Sequence, residues 1–412
     1  MKIAVIGGSG QMGRAVAWDL AHHPGVTKIG LLARRAEALK ETERFIGGGK
    51  VTLHPLDIGD RKAVTAAIRG YDVAILTLPD RYTSYTLVDT AINAGVHCVD
   101  MLEEYHRRPD AYELEGLKLP AGMTLNQYGD HLHETALKND VVFMDGIGFA
   151  PGLSNITTGE AIRRLDRAEV VVARVGGIPR KDVGAKNPLR YMITWAFWHV
   201  LREYVVKLFI LKDGKVVEVD SATDLEPFRF NAFGKDEMLE CCITPGMPSF
   251  VYTRPGLQFF AEKTVRWPGH WQGVHTLKEC GLLGLEPVEV NGVKVVPRDV
   301  LLALIEPRLR ARPGDTDVCV MWNTVDGVKD GKRVRYSYSM WEEADTKLGF
   351  TGMARVTGFP AAIGGIMIAQ GKIKERGIVP PEDCIYGPLY TEFMAELAKR
   401  NIHIEEKVEA LP

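Results

Sequence analysis

The chain has 412 residues, 46% hydrophobic and 25% charged, a balance that fits two globular domains and excludes fibrous or extensively disordered classes. Lysine plus arginine number 51 against 53 aspartate plus glutamate, for a net charge of −2, so no basic field draws nucleic acid. Six cysteines are scattered without a C-x-x-C pair, which argues against a disulfide framework or zinc ribbon and for a reducing, cytoplasmic compartment.

The chain opens on MKIAVIGG, a buried-strand pattern with no secretory leader. Apolar runs at 3–6, 29–32, 52–56, 73–78 and 96–99 alternate with helical stretches. Strands this apolar, joined by helical crossovers, predict a parallel sheet covered on both faces. Between the first strand and first helix stands Gly8-x-Gly10-x-x-Gly13. The first glycine permits a tight turn, the second lets backbone approach a pyrophosphate, and the third lets the helix close on the sheet. Together with Ser9, Gln11 and Met12 they predict a dinucleotide site at a helix N-terminus. The second strand ends in Ala33, followed by Arg34 and Arg35. NAD enzymes usually place a ribose-binding acid there. Its loss, with two guanidinium groups gained, favours NADP over NAD. Asp57 is placed to touch the adenine, and Thr77, Leu78 and Pro79 to reach the nicotinamide side. Asp100, ending the fifth strand, faces the same crevice.

From residue 140 the texture changes. A strand at 141–144 runs into a glycine-rich turn and a helix to about 164. Strands are predicted at 170–175, 215–219 and 318–322, and the alternation of RVRYSYSM marks another at 333–340. The stretch 193–211 carries His199, Arg202, Glu203 and Lys207, so it reads as an amphipathic helix and not a membrane span.

The blocks GIGFAPGLSN (146–155), VGGIP (175–179), YMITW (191–195), KTVRWPGH (263–270), LKECGLL (277–283), LIEP (304–307) and MARVTGFPAA (353–362) resemble the saccharopine dehydrogenase superfamily, and within it most the L-lysine 6-dehydrogenases. The resemblance implies a nicotinamide-dependent dehydrogenase acting at a carbon–nitrogen bond of a small amino-acid substrate, homodimeric, without a metal. It implies an α/β chain: a Rossmann dinucleotide-binding domain at 1–145, an α+β substrate-binding and dimerisation domain with a largely antiparallel sheet at 146–352, and a segment, 353–412, that returns to the Rossmann domain. Two departures stand out. Ala150 replaces the Asp frequent in saccharopine-forming relatives. The stretch 103–137, with His106, Arg107, Arg108, Asp130, His131 and His133, is longer than in lysine 6-dehydrogenases and is expected to cover the substrate.

Amine oxidation needs a base, because only a neutral amine releases hydride. Asp100 is the first candidate and His270, behind Pro268-Gly269, the second. Arg266 is the candidate for the substrate carboxylate, which a guanidinium grips with two parallel bonds. It is expected to converge with Asp100 on one crevice. The helix start around Asn155 and the one expected after Thr357 offer further anion sites, and Trp195 and Trp267 are candidate pocket walls. Two other readings stand beside this one: an opine-type reductase condensing an amine with an oxo acid, and a non-catalytic NADP-binding sensor.

Overall fold

The computed structural model describes residues 1–47, 49–112, 114 and 116–412. Residues 113 and 115, within the long 103–137 stretch, lie outside the described residues. The chain forms two compact units. The first holds Met1–Arg164, Met247–Phe250 and Ala354–Ile402, the second Leu165–Gly246, Val251–Met353 and His403–Pro412.

In the first unit, β1 (Lys2–Ile6), β2 (Lys28–Ala33), β3 (Val51–Pro55), β4 (Val73–Leu76), β5 (His97–Val99) and β6 (Val142–Met144) join Gly377–Val379 in a seven-stranded sheet. Its order is Gly377–Val379, β6, β5, β4, β1, β2, β3, and every neighbouring pair is parallel. The apolar runs are continuous because helices cover both faces. The order reverses between β1 and β4, the place where such sheets bind ligands beyond the strands' carboxyl ends.

The helix Gly352–Ala369 is long and apolar enough to cross a membrane, yet 89% of it is buried in protein. It is a core helix, and its glycines explain how closely it packs. A Cβ on Gly358 would stand 2.8 Å from the Ala15 methyl, and one on Gly365 2.8 Å from Ile75. Farther along, Arg400 donates from Nε and Nη2 to Asp19 at 2.6 and 2.9 Å. The first unit therefore extends to Arg164, past 145, and closes at Ile402.

The latter half of the 103–137 stretch is an ordinary crossover. Leu125–Lys138 is a helix between β5 and β6, opened by a capping box in which Thr124 and Gln127 bond reciprocally. Earlier in the stretch, Glu104, Tyr105 and His106 are buried.

The second unit is built on a nine-stranded mixed sheet. Phe259–Arg266 and Arg167–Pro179 pair in parallel; the remaining pairs are antiparallel. The stretch 193–211 departs from the single helix expected. The helix is confined to Phe197–Glu203, and Lys207–Lys212 is a strand hairpinned to Lys215–Asp220. Asp213-Gly214, with φ of 52° and 70°, makes the turn that such a dipeptide favours, and the alternation around it supplies the strands.

Candidate functional site

Gly7 and Gly8 both donate to the Leu32 carbonyl, at 2.9 and 3.2 Å, and Gly10 donates back to Gly7 at 2.9 Å. Gly7 has φ +89°, and a Cβ there would lie 2.6 Å from Thr77 Oγ1. A Cβ on Gly13 would lie 2.3 Å from the Gly7 carbonyl. The helix that follows, Gln11–His22, has no side-chain cap and no acid in its first turn, so its N–H groups and positive end suit a pyrophosphate. Gly10 and Gln11 are exposed there, with Ser9 and Met12 half-buried.

Ala33 is buried, while Arg34 and Arg35 are exposed at the end of β2 and make no ion pair among the described residues. Thr77 donates to the Ile6 carbonyl at 3.0 Å, with Leu78 and Pro79 half-buried beyond it. Asp57 is exposed and accepts the Gly59 N–H at 3.0 Å. These residues fit NADP: a backbone cradle that no side chain can enter, an uncapped helix start, and two free guanidinium groups. Replacing both Arg34 and Arg35 by alanine is expected to weaken NADPH binding by about 10- to 150-fold, the worth of a charge-assisted contact, with NADH binding little changed. Fluorescence titration of both cofactors checks this, and an equal loss for both contradicts it.

Asp100 follows β5 and is 1% exposed. Its Oδ1 accepts the Leu102 N–H, and its Oδ2 accepts from Ser84 Oγ at 2.6 Å. Burial lifts its carboxyl to about 6. The His106 charge opposes the rise, and Asp145 adds to it. Ser84 lies in the first turn of the helix Arg81–Asn93, opened by Asp80, whose side chain accepts the Thr83 N–H. His106 Nε2 stands 2.9 Å from Ser84 Oγ, and Asp145, which follows β6, is 2.8 Å from His106 Nδ1. The structure thus gathers Asp100, Ser84, His106 and Asp145 in one buried cluster. Ser84 and Asp145 escaped the sequence reading, although Asp145 ends a strand just as Asp100 does.

The second unit contains a different cluster. Arg266 is 3% exposed. Its Nε and Nη2 donate to Tyr204 Oη at 3.2 and 3.0 Å and its Nη1 to the Val265 carbonyl at 2.9 Å. The Tyr191 ring lies 5.1 Å beneath it. All these partners are neutral, and no carboxylate pairs with Arg266 among the described residues. The buried Glu203 carboxylate acts on it without a hydrogen bond between them, so this guanidinium keeps capacity for an anion from a ligand.

His270 is tied to the same group. Its Nδ1 lies 2.8 Å from the Leu189 carbonyl and its Nε2 3.0 Å from Tyr204 Oη. A carbonyl can only accept, so the ring proton sits on Nδ1. Tyr204 therefore donates to Nε2 while accepting from Arg266. Burial, then the Arg266 charge, pushes the imidazole well below its usual range. This corrects the second base candidate: His270 is neutral, both nitrogens are engaged, and it orients Tyr204.

Asn155, Thr357 and Trp267 are also reassigned. Asn155 accepts the Gly152 N–H at 3.0 Å and donates to Ser249 and Glu382 at 3.2 and 2.9 Å. Leu153 and Ser154 N–H donate to the Gly148 and Phe149 carbonyls, so the first two N–H groups of that helix are engaged within the chain. Thr357 lies inside the helix Gly352–Ala369 and not ahead of it; the start is capped by Asp317, which accepts the Gly352 and Met353 N–H at 2.7 and 2.9 Å. Trp267 donates to the Pro179 carbonyl at 2.8 Å within a hydrophobic core. Trp195 is half-buried and packs at 5.3 Å from the His199 ring.

Glu262 was not anticipated. It shares a strand face with Thr264 and Arg266, the period-2 signal that would have shown it. Its Oε2 accepts from Thr244 at 2.7 Å and from Gly246 N–H at 3.0 Å, while its Oε1 is buried without a partner. Burial lifts the carboxyl from 4.5 to about 8. Between those values the folded chain keeps a proton that the unfolded chain has released, so the contribution to stability falls as pH rises through the window. Glu262→Gln is therefore expected to gain about 3–4 kcal/mol relative to wild type between pH 5 and pH 8. Urea unfolding at both pH values tests it; an equal difference at the two contradicts it.

Comparison with known proteins adds two family matches. Residues 3–125 match the saccharopine dehydrogenase NADP binding domain, and residues 148–402 match the saccharopine dehydrogenase C-terminal domain. Among individual proteins, the chain is 23% identical to a saccharopine dehydrogenase (NADP(+), L-glutamate-forming) of Schizosaccharomyces pombe, covering 90% of this chain and 92% of that one. It is 25% identical to a carboxyaminopropylagmatine dehydrogenase of Synechocystis, covering 99% and 98%. In three dimensions it is similar to an apo saccharopine dehydrogenase (L-Glu forming) from Saccharomyces cerevisiae, with a TM-score of 0.76, 20% identity, and coverage of 99% of this chain and 100% of that one.

Proposed function

The chain belongs to the saccharopine dehydrogenase family and is an NADP-binding oxidoreductase of the kind that acts at carbon–nitrogen bonds of amino acids; from there we propose that it oxidises an amino group of an amino acid to the imine, with Asp100 handling the nitrogen's proton. NADP, when bound, supplies the hydride acceptor. Asp100 supplies the base. An ammonium nitrogen has no lone pair to drive hydride loss, so a carboxylate must first take its proton. A carboxyl lifted to about 6 is ionised at neutral pH yet basic enough to accept that proton.

The observation that carries this reading is Asp100 itself, a buried carboxylate one residue beyond β5, on the carboxyl side of a sheet with a dinucleotide cradle. The finer assignment, oxidation of a terminal amine as in the L-lysine 6-dehydrogenases, rests on resemblance, as does a homodimer. Supplying a panel of L-amino acids, lysine among them, with NADP or NAD in parallel tests it. NADPH formation with at least one member is the expected result. Hydride uptake by NADP from none of them, or equal use of NAD, overturns it.

A further inference from the structure

Behind Asp100 lie three buried polar groups that this acid–base reading does not use. Ser84, His106 and Asp145 are each at most 2% exposed. The hydrogen bonds among them have fixed directions. Both oxygens of Asp145 accept from His106, one from the backbone N–H and one from Nδ1, each at 2.8 Å. Ser84 has one proton, and at 2.6 Å it gives it to Asp100 Oδ2. Its oxygen is then the acceptor facing His106 Nε2 at 2.9 Å, so Nε2 also carries a proton. His106 is an imidazolium held between two carboxylates, one in direct contact and one reached through a hydroxyl.

The surroundings keep that charge in place. Tyr85 lies tilted against the ring at 4.3 Å, and Phe143 meets it edge-on at 5.0 Å. Glu104 faces it while bound to Arg81 and to the Tyr85 hydroxyl. Cys98 and Tyr105, both buried, are the remaining titratable neighbours of the two carboxylates. Burial alone would lower the imidazole, but Asp145, with smaller help from Asp100 and Glu104, outweighs it and holds the ring at about 8.

We infer that Ser84 and His106 form a proton relay that exchanges with Asp100 from inside the fold, His106 being the store and Asp145 its anchor. The inference rests on the acid–base role of Asp100. Its step balances without any co-reactant. The Ser84 proton passes to Asp100 Oδ2 as the Nε2 proton of His106 passes to Ser84 Oγ. A carboxylate and an imidazolium become a carboxylic acid and a neutral imidazole, the serine is unchanged, and no electrons move. In the oxidative direction the same hops run backwards. Asp100, having taken the substrate's proton, passes it inward through Ser84 only once His106 has given up its Nε2 proton, so at neutral pH the relay stands loaded toward Asp100, and it takes up protons in the oxidative direction above about pH 8. Water need not reach a carboxylate this deeply buried. Ser84 and His106 are positioning residues, since neither touches the reacting atoms.

Two measurements on the full chain test the relay. The first needs no substrate. In protein labelled with ¹⁵N-histidine, His106 is expected to carry protons on both ring nitrogens at pH 7. An unprotonated Nε2 in wild type overturns the relay. The second compares turnover on an amino acid that the panel identifies, across pH. Ser84→Ala, which removes one oxygen, and His106→Gln are each expected to lower kcat by about 10- to 100-fold, at or below the range for acid–base groups themselves. Both should displace the acidic limb of the kcat profile, with KM and NADPH affinity held within about twofold. Ser84→Thr keeps the hydroxyl and should restore both kcat and the profile. Wild-type kcat and profile in Ser84→Ala overturn the relay, as does a loss of kcat that Ser84→Thr does not repair. Asp100→Asn separates the two levels. If it lowers turnover by about 10²–10⁴ while Ser84→Ala keeps the wild-type kcat and profile, the relay alone is wrong. If Asp100→Asn itself turns over normally, the role of Asp100 is wrong.

Discussion

Asp100→Asn is expected to lower turnover by about 10²–10⁴, the usual cost of removing a general base, while NADPH affinity stays unchanged. The substitution is nearly isosteric. The asparagine oxygen can still accept the Leu102 N–H, and its amide can donate to Ser84 Oγ, so the surrounding bonds survive with one direction reversed. What is lost is the capacity to accept a proton from the substrate nitrogen. The wild-type pH profile carries the same information. Asp100 must be ionised to act as a base, and burial holds it at about 6. Oxidative kcat should therefore fall about tenfold per unit as pH drops below that value, and Asp100→Asn should lose this limb. Steady-state kinetics with NADPH titration decides. Full turnover in the variant, or a cofactor affinity that collapses with it, sinks the assignment.

The second large effect concerns stability. Arg81→Met is expected to destabilise the first unit by about 3–5 kcal/mol, the cost of stranding one member of a buried ion pair. Arg81 is fully buried. It meets Glu104 at 2.8 and 3.0 Å and donates to the Asp110 carbonyl at 2.9 Å, while Tyr85 donates to the same Glu104 oxygen at 2.9 Å. Without the guanidinium, the Glu104 carboxylate keeps a phenol and loses its counter-charge. The double variant Arg81→Met, Glu104→Leu removes both charges and should recover much of the loss, since apolar replacement of a whole buried pair is often neutral or better. Denaturant unfolding of wild type, Arg81→Met, Glu104→Leu and the double variant measures the coupling. Additive single and double effects contradict a direct pair.

Much of the first unit was legible because its signals are local. A glycine turn behind an apolar strand is a short-range pattern, and the strand-end rule pointed to Asp100 and Arg34–Arg35 without any knowledge of packing. Ser84 was not legible: a serine in a helix's first turn reads as a capping or surface residue until the neighbouring strand brings Asp100 to it. His106 was visible as a member of a long stretch read as a cover; its inward fold depends on Arg81 and Asp145, 25 and 39 positions away. Asn155 and His270 looked functional because they are polar and lie in specific blocks, but their hydrogen-bonding capacity is consumed by distant backbone and by Glu382 or Tyr204. Glu262 had a visible signal in its alternation with Arg266, yet nothing in that spacing says that one of its oxygens is left without a partner.

The composition of the first unit bears on how the chain is made. Gly377–Val379 covers the open edge of β6, and the helix ending at Ala369 covers Ile75, Met144 and Ile147. Neither exists when Arg164 leaves the ribosome. At about 5–20 residues per second, roughly 10–50 s pass before Ile402 follows. Over that interval the nascent nucleotide-binding sheet presents an unpaired strand edge beside an uncovered apolar face, the kind of surface that recruits other strands. The dinucleotide cradle is encoded at residues 7–13, yet the sheet that supports it is completed only at Gly377–Val379.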